Sequence, residues 1–174
     1  MIEKGPITTD GAWGTQLQAL GLSIGECPEA WNLNQPENVE KVAQAYVNAG
    51  SQIILTNTFG GSSDRLAEFG LAEKAFEINK AGAQLSCRAA GDQAYVFASI
   101  GPSGKILMMG QTTEDELRAS FEEQAKALAE GGAHGLVVET MSDPAEAKIA
   151  VKAAKATGLP VVGCMTFDTG KGKD

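Results

Sequence analysis

Two hydrophobic rhythms alternate along this chain. Short, nearly unbroken apolar runs at residues 6–10, 52–57, 94–100, 135–139 and 160–166 are separated by longer stretches with apolar residues every third or fourth position. The short runs predict five strands. Most are continuous rather than alternating, the pattern of strands covered on both faces and therefore of a parallel sheet. The longer stretches predict amphipathic helices with legible ends. Asn34 followed by Glu37 has the form of a capping box, Val39, Val42, Ala43, Tyr46 and Ala49 continue at helical spacing, and Gly50 stops the run. Residues 71–85 place Ala75, Ile78, Gly82 and Leu85 on one face. Thr113 with Glu116 opens the next helix, whose stripe is Leu117, Phe121, Ala125 and Leu128 before Gly131 and Gly132. Asp143, Pro144 and Glu146 open the last, with Ile149, Ala150, Ala153 and Ala154 facing inward and Gly158 closing it.

The predicted order is β-α-β-α-β-α-β-α-β. Right-handed connections between parallel strands leave two architectures, an open doubly wound sheet or a (β/α)8 barrel of the TIM type. A complete barrel takes about 250 residues. At 174 residues the chain would supply roughly the first half, strands one to five, with residues 169–174 as the loop after strand five. It reads as a single domain piece over residues 1–174 with no second domain.

Composition narrows the class. Hydrophobic residues make up 43% and charged residues 21%, the mix of a soluble globular protein. Lys and Arg total 14 against 22 Asp and Glu, a formal charge of −8 that repels phosphate backbones, so no nucleic-acid partner is expected. No apolar run reaches membrane-spanning length and residues 1–6 carry no secretory apolar core, so neither a membrane nor export is expected. Cys27, Cys87 and Cys164 are isolated and odd in number, which fits free thiols in a reducing, cytoplasmic setting. There is no CxxC or HxxxH pair, no GxGxxG and no P-loop pattern, so zinc, dinucleotide and P-loop readings lack their usual support in the sequence.

The polar and glycine-rich residues fall at the C-terminal ends of the predicted strands, where ligands bind in any parallel α/β fold: Asp10-Gly11, then Asn57 to Gly61, Gly101 to Gly104, Glu139-Thr140 and Phe167-Asp168. Asp10 is either the N-cap of a short helix or a site carboxylate, and Gly11 and Gly14 favour the site because glycine lets backbone N–H groups approach a ligand. Glu139 ends the apolar run Leu136-Val137-Val138, as a salt-bridge partner or as a carboxylate aimed into a crevice. Asp10 and Glu139 together would make an acidic pocket suited to an ammonium. Asn57 is either a local Asx turn or an orienting donor and acceptor. His134, ahead of the fourth strand, lies at the opposite end from the site and reads as structural. Trp13 and Trp31 read as core or lid packing.

Asp10-Gly11-Ala12-Trp13-Gly14-Thr15, Cys27-Pro28-Glu29 with Asn32, Pro36-Glu37, Ala49-Gly50-Ser51, Thr56-Asn57-Thr58-Phe59-Gly60, Ile100-Gly101-Pro102, Glu139-Thr140 and Met165-Thr166-Phe167-Asp168 follow one another in order along nearly the whole chain. In combination they resemble the homocysteine S-methyltransferase family, and within it the N-terminal homocysteine-binding barrels of cobalamin-dependent methionine synthases. The resemblance implies a (β/α)8 barrel that transfers a methyl group to the zinc-activated thiol of homocysteine, giving methionine. It implies that Asp10 and Glu139 hold the amino-acid end of homocysteine, that the backbone around Gly14 and Thr15 meets its carboxylate, and that Asn57 and Thr58 line the pocket. The family's three zinc cysteines would lie beyond Asp174, so the resemblance implies zinc as cofactor without ligands in this chain and no catalytic residue of its own. Gly60-Gly61 stands where betaine-dependent relatives carry an aromatic, which points to methylcobalamin or a folate-linked methyl donor. A second reading, from another class, is a non-catalytic half barrel that acts as a scaffold or binding subunit and self-associates, or pairs with a missing C-terminal half, through its open edges.

Overall fold

The computed structural model describes residues 5–167. Asp168 and the expected loop at 169–174 lie outside the described residues. Four strands, β1 (Ile53–Ile54), β2 (Tyr95–Ile100), β3 (Gly135–Met141) and β4 (Val161–Met165), form one parallel sheet in the order β1-β2-β3-β4. Each strand neighbours the next in sequence. A doubly wound sheet reverses its order at a switch point; this one does not, and its order is that of an arc of a barrel.

The strand expected at 6–10 is reduced to one parallel bridge, Thr9 with Ile53, on the outer edge of β1. Pro6 has no N–H for a ladder, and Thr8 is held by Gln52, whose side-chain oxygen accepts the Thr8 N–H at 3.1 Å. The strand expected at 52–57 keeps only two residues. Its ladder stops at Leu55 because the N–H of that residue donates to the carboxylate of Asp10 at 2.7 Å.

Among the described residues there are seven α-helices: α1 (Trp13–Ala19), α2 (Trp31–Asn34) and α3 (Pro36–Asn48) before β1, α4 (Ser63–Ala67) and α5 (Ala75–Ala90) between β1 and β2, α6 (Glu114–Glu130) between β2 and β3, and α7 (Pro144–Lys155) between β3 and β4. The long ones pack in series, α3 on α5, α5 on α6 and α6 on α7, along one face of the sheet. The main core lies between that layer and the strands. Phe121 and Leu128 of α6 and Ala150 and Ala154 of α7 meet Leu136 and Val138 of β3 there, all buried. Thr113 and Glu116 do form the expected capping box on α6, and Asp143 caps α7 by accepting the Ala145 N–H at 2.8 Å. The start of α3 differs from expectation. Asn34 ends α2, Gln35 is the cap position without a side-chain bond, and Pro36 at the first helical position begins the helix. The expected helix at 71–85 opens as a 3-10 turn, Ala72–Lys74, and runs on to Ala90.

Near its C-terminal end β3 carries an extra residue. Val138 pairs with Gly163 and Met141 with Met165, so Glu139 and Thr140 oppose the single residue Cys164. Thr140 there has φ of 60°. This is a β-bulge, a device that bends a strand and re-aims a side chain, and a left-handed threonine is strained. The side chain next to it is Glu139.

Candidate functional site

The C-terminal ends of β1, β2 and β3 and the segment entering α1 enclose a cleft of about 300 Å³, lined in part by Gly11, Trp13, Gly14, Glu29, Asn57, Ser99 and Glu139. Its position is the one expected for a ligand in a barrel.

Asp10 caps no helix; the cap position of α1 is Ala12. One oxygen of Asp10, Oδ2, accepts both the Leu55 N–H at 2.7 Å and the Trp13 indole N–H at 2.8 Å. Its neighbours Gly11 and Trp13, rather than Asp10 itself, line the cleft. Burial pushes the Asp10 carboxyl above the ordinary 3.8, the two hydrogen bonds pull it back, and repulsion from the Glu139 carboxylate adds to the rise. Asp10 therefore feels the Glu139 charge. Glu139, on the bulge, accepts the Ser99 hydroxyl on Oε1 at 2.5 Å. Among the described residues no hydrogen bond reaches Asp10 Oδ1 or Glu139 Oε2, and neither is a fully enclosed orphan atom. Neither acid takes part in an ion pair among the described residues. The salt-bridge reading of Glu139 thus finds no partner there, and two carboxylates each keep one free oxygen.

Asn57 is buried and joins two loops. Its amide donates to Pro28 O at 2.7 Å and to Asn32 Oδ1 at 3.0 Å, contacts that replace the local turn. It also lines the cleft. Thr58, expected beside it, is fully buried and outside the lining; its hydroxyl donates to Ser99 O at 2.7 Å. Gly14 lines the cleft, while Thr15, next along α1, is solvent-exposed and does not. Gly101 allows the loop after β2 to close on the loop after β1: its N–H donates to Phe59 O at 2.8 Å, and a Cβ there would stand 2.7 Å from that oxygen.

Ser99 and Glu29 line the cleft, and sequence reasoning gave neither a site role. Ser99 is the one serine in the apolar run of β2 and its hydroxyl donates to Glu139. Glu29 is buried, accepts the Gly60 N–H on Oε1 at 2.7 Å and receives the Cys27 thiol on Oε2 at 3.4 Å. His134 lies away from the cleft, as expected, with Nδ1 accepting the Val96 N–H at 2.9 Å. Trp31 is buried in the core, and Trp13 is both packed against Tyr46 and bonded to Asp10.

Cys27 precedes the 3-10 turn Pro28–Ala30, Cys87 is on α5 and Cys164 on β4. Burial, then the Glu29 charge, pushes the Cys27 thiol up to about 11, the wrong direction for a thiolate ligand. Among the described residues no three His, Cys, Asp or Glu side chains converge so as to hold a metal ion. The residues present do not fit a zinc centre.

A family model described as homocysteine S-methyltransferase matches residues 7–174. The chain is 31% identical over 178 residues to a methionine synthase of Mycobacterium tuberculosis, covering 92% of this chain and 15% of that protein. It is 32% identical over 154 residues to a methionine synthase of Mycobacterium leprae, covering 82% of this chain and 13% of that one. Among solved structures it is similar to the homocysteine methyltransferase MmuM of Escherichia coli in its oxidized and metallated forms. Both give a TM-score of 0.79, at 21% and 22% identity, covering 95% of this chain and 64% of theirs. At that identity the likeness establishes the fold, a (β/α)8 barrel in part. No helix among the described residues is long and apolar enough to cross a membrane.

Proposed function

Because this chain belongs to the homocysteine S-methyltransferase family, we propose that its cleft binds the amino-acid end of homocysteine, as part of a protein that transfers a methyl group to the homocysteine thiol and yields methionine. One observation carries the proposal: Glu139 lines the cleft, Asp10 is held beside the lining residues Gly11 and Trp13, and each acid keeps an oxygen without a hydrogen bond and takes part in no ion pair among the described residues. Two carboxylates with open oxygens near one another favour a cation placed between them. An α-ammonium set against both supplies the missing positive charge and donors for both free oxygens.

In this reading each residue of the chain has a binding or orienting task. Asp10 and Glu139 receive the ammonium. Gly14, without a side chain, leaves room at the cleft wall for the substrate carboxylate to reach the backbone of Gly14 and Thr15. Asn57, a lining residue, ties the segment after β1 to Pro28 and to Asn32 of α2. Thr58 supports the floor through Ser99. Zinc, in the metal-dependent members that the resemblance implies, would make the thiol nucleophilic at neutral pH; no step is assigned to it through the residues described. The mycobacterial relatives, of which the chain spans 15% and 13%, bear the name methionine synthase, the same product; Gly60-Gly61, in the place where the resemblance puts an aromatic in betaine-dependent relatives, favours a cobalamin- or folate-linked methyl donor for the whole protein.

Calorimetric titration of this chain with L-homocysteine tests the reading. Saturable binding that L-methionine competes for is expected, since the two share the amino-acid end. Absence of saturable binding by a folded chain overturns it.

A further inference from the structure

We infer that Ser99 is a positioning residue for Glu139 and fixes which of its two oxygens faces the ligand. This rests on the reading of Asp10 and Glu139 as the ammonium site. Ser99 is 2% exposed yet lines the cleft. Its backbone is held on both sides by side chains: the Ser99 N–H donates to Thr56 Oγ1 at 3.0 Å, and the Ser99 carbonyl accepts the Thr58 hydroxyl at 2.7 Å. The two threonine hydroxyls are themselves bonded to each other. Thr58 is anchored from behind, its carbonyl accepting the Gln124 amide of α6 at 2.8 Å. All four residues are buried.

The clamp ends on a single free group, the Ser99 hydroxyl, and that hydroxyl donates to Glu139 Oε1. Ser99 pairs with Val137 in the sheet, so Glu139 reaches it diagonally from two positions further along β3. Glu139 needs such a partner. It sits on a bulge beside the left-handed Thr140, where the strand is bent and the ladder no longer dictates where a long side chain points. A hydroxyl held on a rigid strand restores that direction, occupies Oε1, and leaves Oε2 open. Apolar residues on either side, Ala98 and Ile100, serve the core instead. Ser99 touches no ligand in this account; it acts through Glu139.

The test compares L-homocysteine with 4-sulfanylbutanoate, the same thiol acid without the amino group, for the chain and for Ser99→Ala and Ser99→Cys. A hydrogen bond to a charged group is worth about tenfold or more in binding, and a thiol is a weak donor. Ser99→Ala is expected to bind homocysteine about tenfold more weakly and 4-sulfanylbutanoate unchanged, with Ser99→Cys between. Either variant decides if the other does not fold. Equal loss for both ligands, or no loss for either, overturns the role of Ser99. If the unsubstituted chain fails to prefer homocysteine, the ammonium site itself is overturned, a result distinct from the first.

Discussion

The carboxylate of Asp10 accepts the backbone N–H of Leu55 at 2.7 Å, across 45 positions of sequence. The bond ends the ladder of β1 and fixes the carboxylate beside Gly11 and Trp13, which line the cleft. With the Trp13 indole on the same oxygen, it leaves the other oxygen for a ligand. Two substitutions separate these tasks. Asp10→Ala strands two donors and is expected to lower stability by about 1–3 kcal/mol in denaturant unfolding. Asp10→Asn keeps an acceptor for both donors but loses the charge. It should unfold near the original midpoint and bind homocysteine far more weakly. An Asn variant that binds as tightly as the original would remove Asp10 from the ammonium site.

The raised Asp10 carboxyl makes binding pH-dependent. In the free protein, burial and the Glu139 charge favour the protonated form. An ammonium favours the charged form. Homocysteine binding should therefore be strongest at neutral pH and fade as pH falls through the raised value, in a window that opens above 3.8. Within that window binding should release a proton, read as a dependence of the calorimetric heat on buffer ionisation. Stability of the free chain runs the other way, because a carboxyl raised in the folded state favours folding below its value and loses that contribution as pH rises through it. Proton uptake on binding would contradict the assignment.

The three thiols should differ in reactivity. Cys164 is exposed on β4, whereas Cys27 is buried beside Glu29 and raised to about 11. Iodoacetamide at neutral pH should label Cys164 first and Cys27 last, followed by mass spectrometry of the digested chain. The Cys27 rate should keep rising toward about pH 11. Early labelling of Cys27 would mean that its loop opens in solution.

The core between α6, α7 and β3 predicts a graded stability series. Phe121 is fully buried at its centre, and Phe121→Ala is expected to cost about 3–5 kcal/mol. Thr113→Ala removes one half of the α6 capping box and should cost about 1 kcal/mol. Denaturant midpoints of the two variants give the order directly.

Much of this was legible in the sequence because burial and capping leave local marks. The continuous runs at 94–100 and 135–139 became β2 and β3, and Thr113 with Glu116 marked the start of α6 to the residue. The strand at 52–57 was overdrawn for a non-local reason: one side chain, Asp10, takes the N–H that would have continued the ladder at Leu55, while at 6–10 Pro6 lacks an N–H and the Gln52 side chain takes that of Thr8. Asp10 and Glu139 stood out as acids at the ends of apolar runs; Glu139 lines the cleft and its charge adds to the rise of the Asp10 carboxyl. Thr58 looked like its neighbour Asn57 in sequence, yet it faces the floor beneath the cleft. Ser99 and the bulge at Glu139 left almost no signal, because a lone serine in a strand and one extra residue in a ladder gain meaning only from their cross-strand neighbours.

The most direct test is the preference of the cleft for an amino group. The ratio of Kd values for 4-sulfanylbutanoate and L-homocysteine should be measured side by side for the chain and for Glu139→Gln. Charge-assisted bonding by a carboxylate is worth about 1.5–3 kcal/mol, so the chain should favour homocysteine by at least about tenfold and Glu139→Gln should lose most of that preference. Equal affinity of the unsubstituted chain for both ligands, or an undiminished preference in Glu139→Gln, would contradict the account.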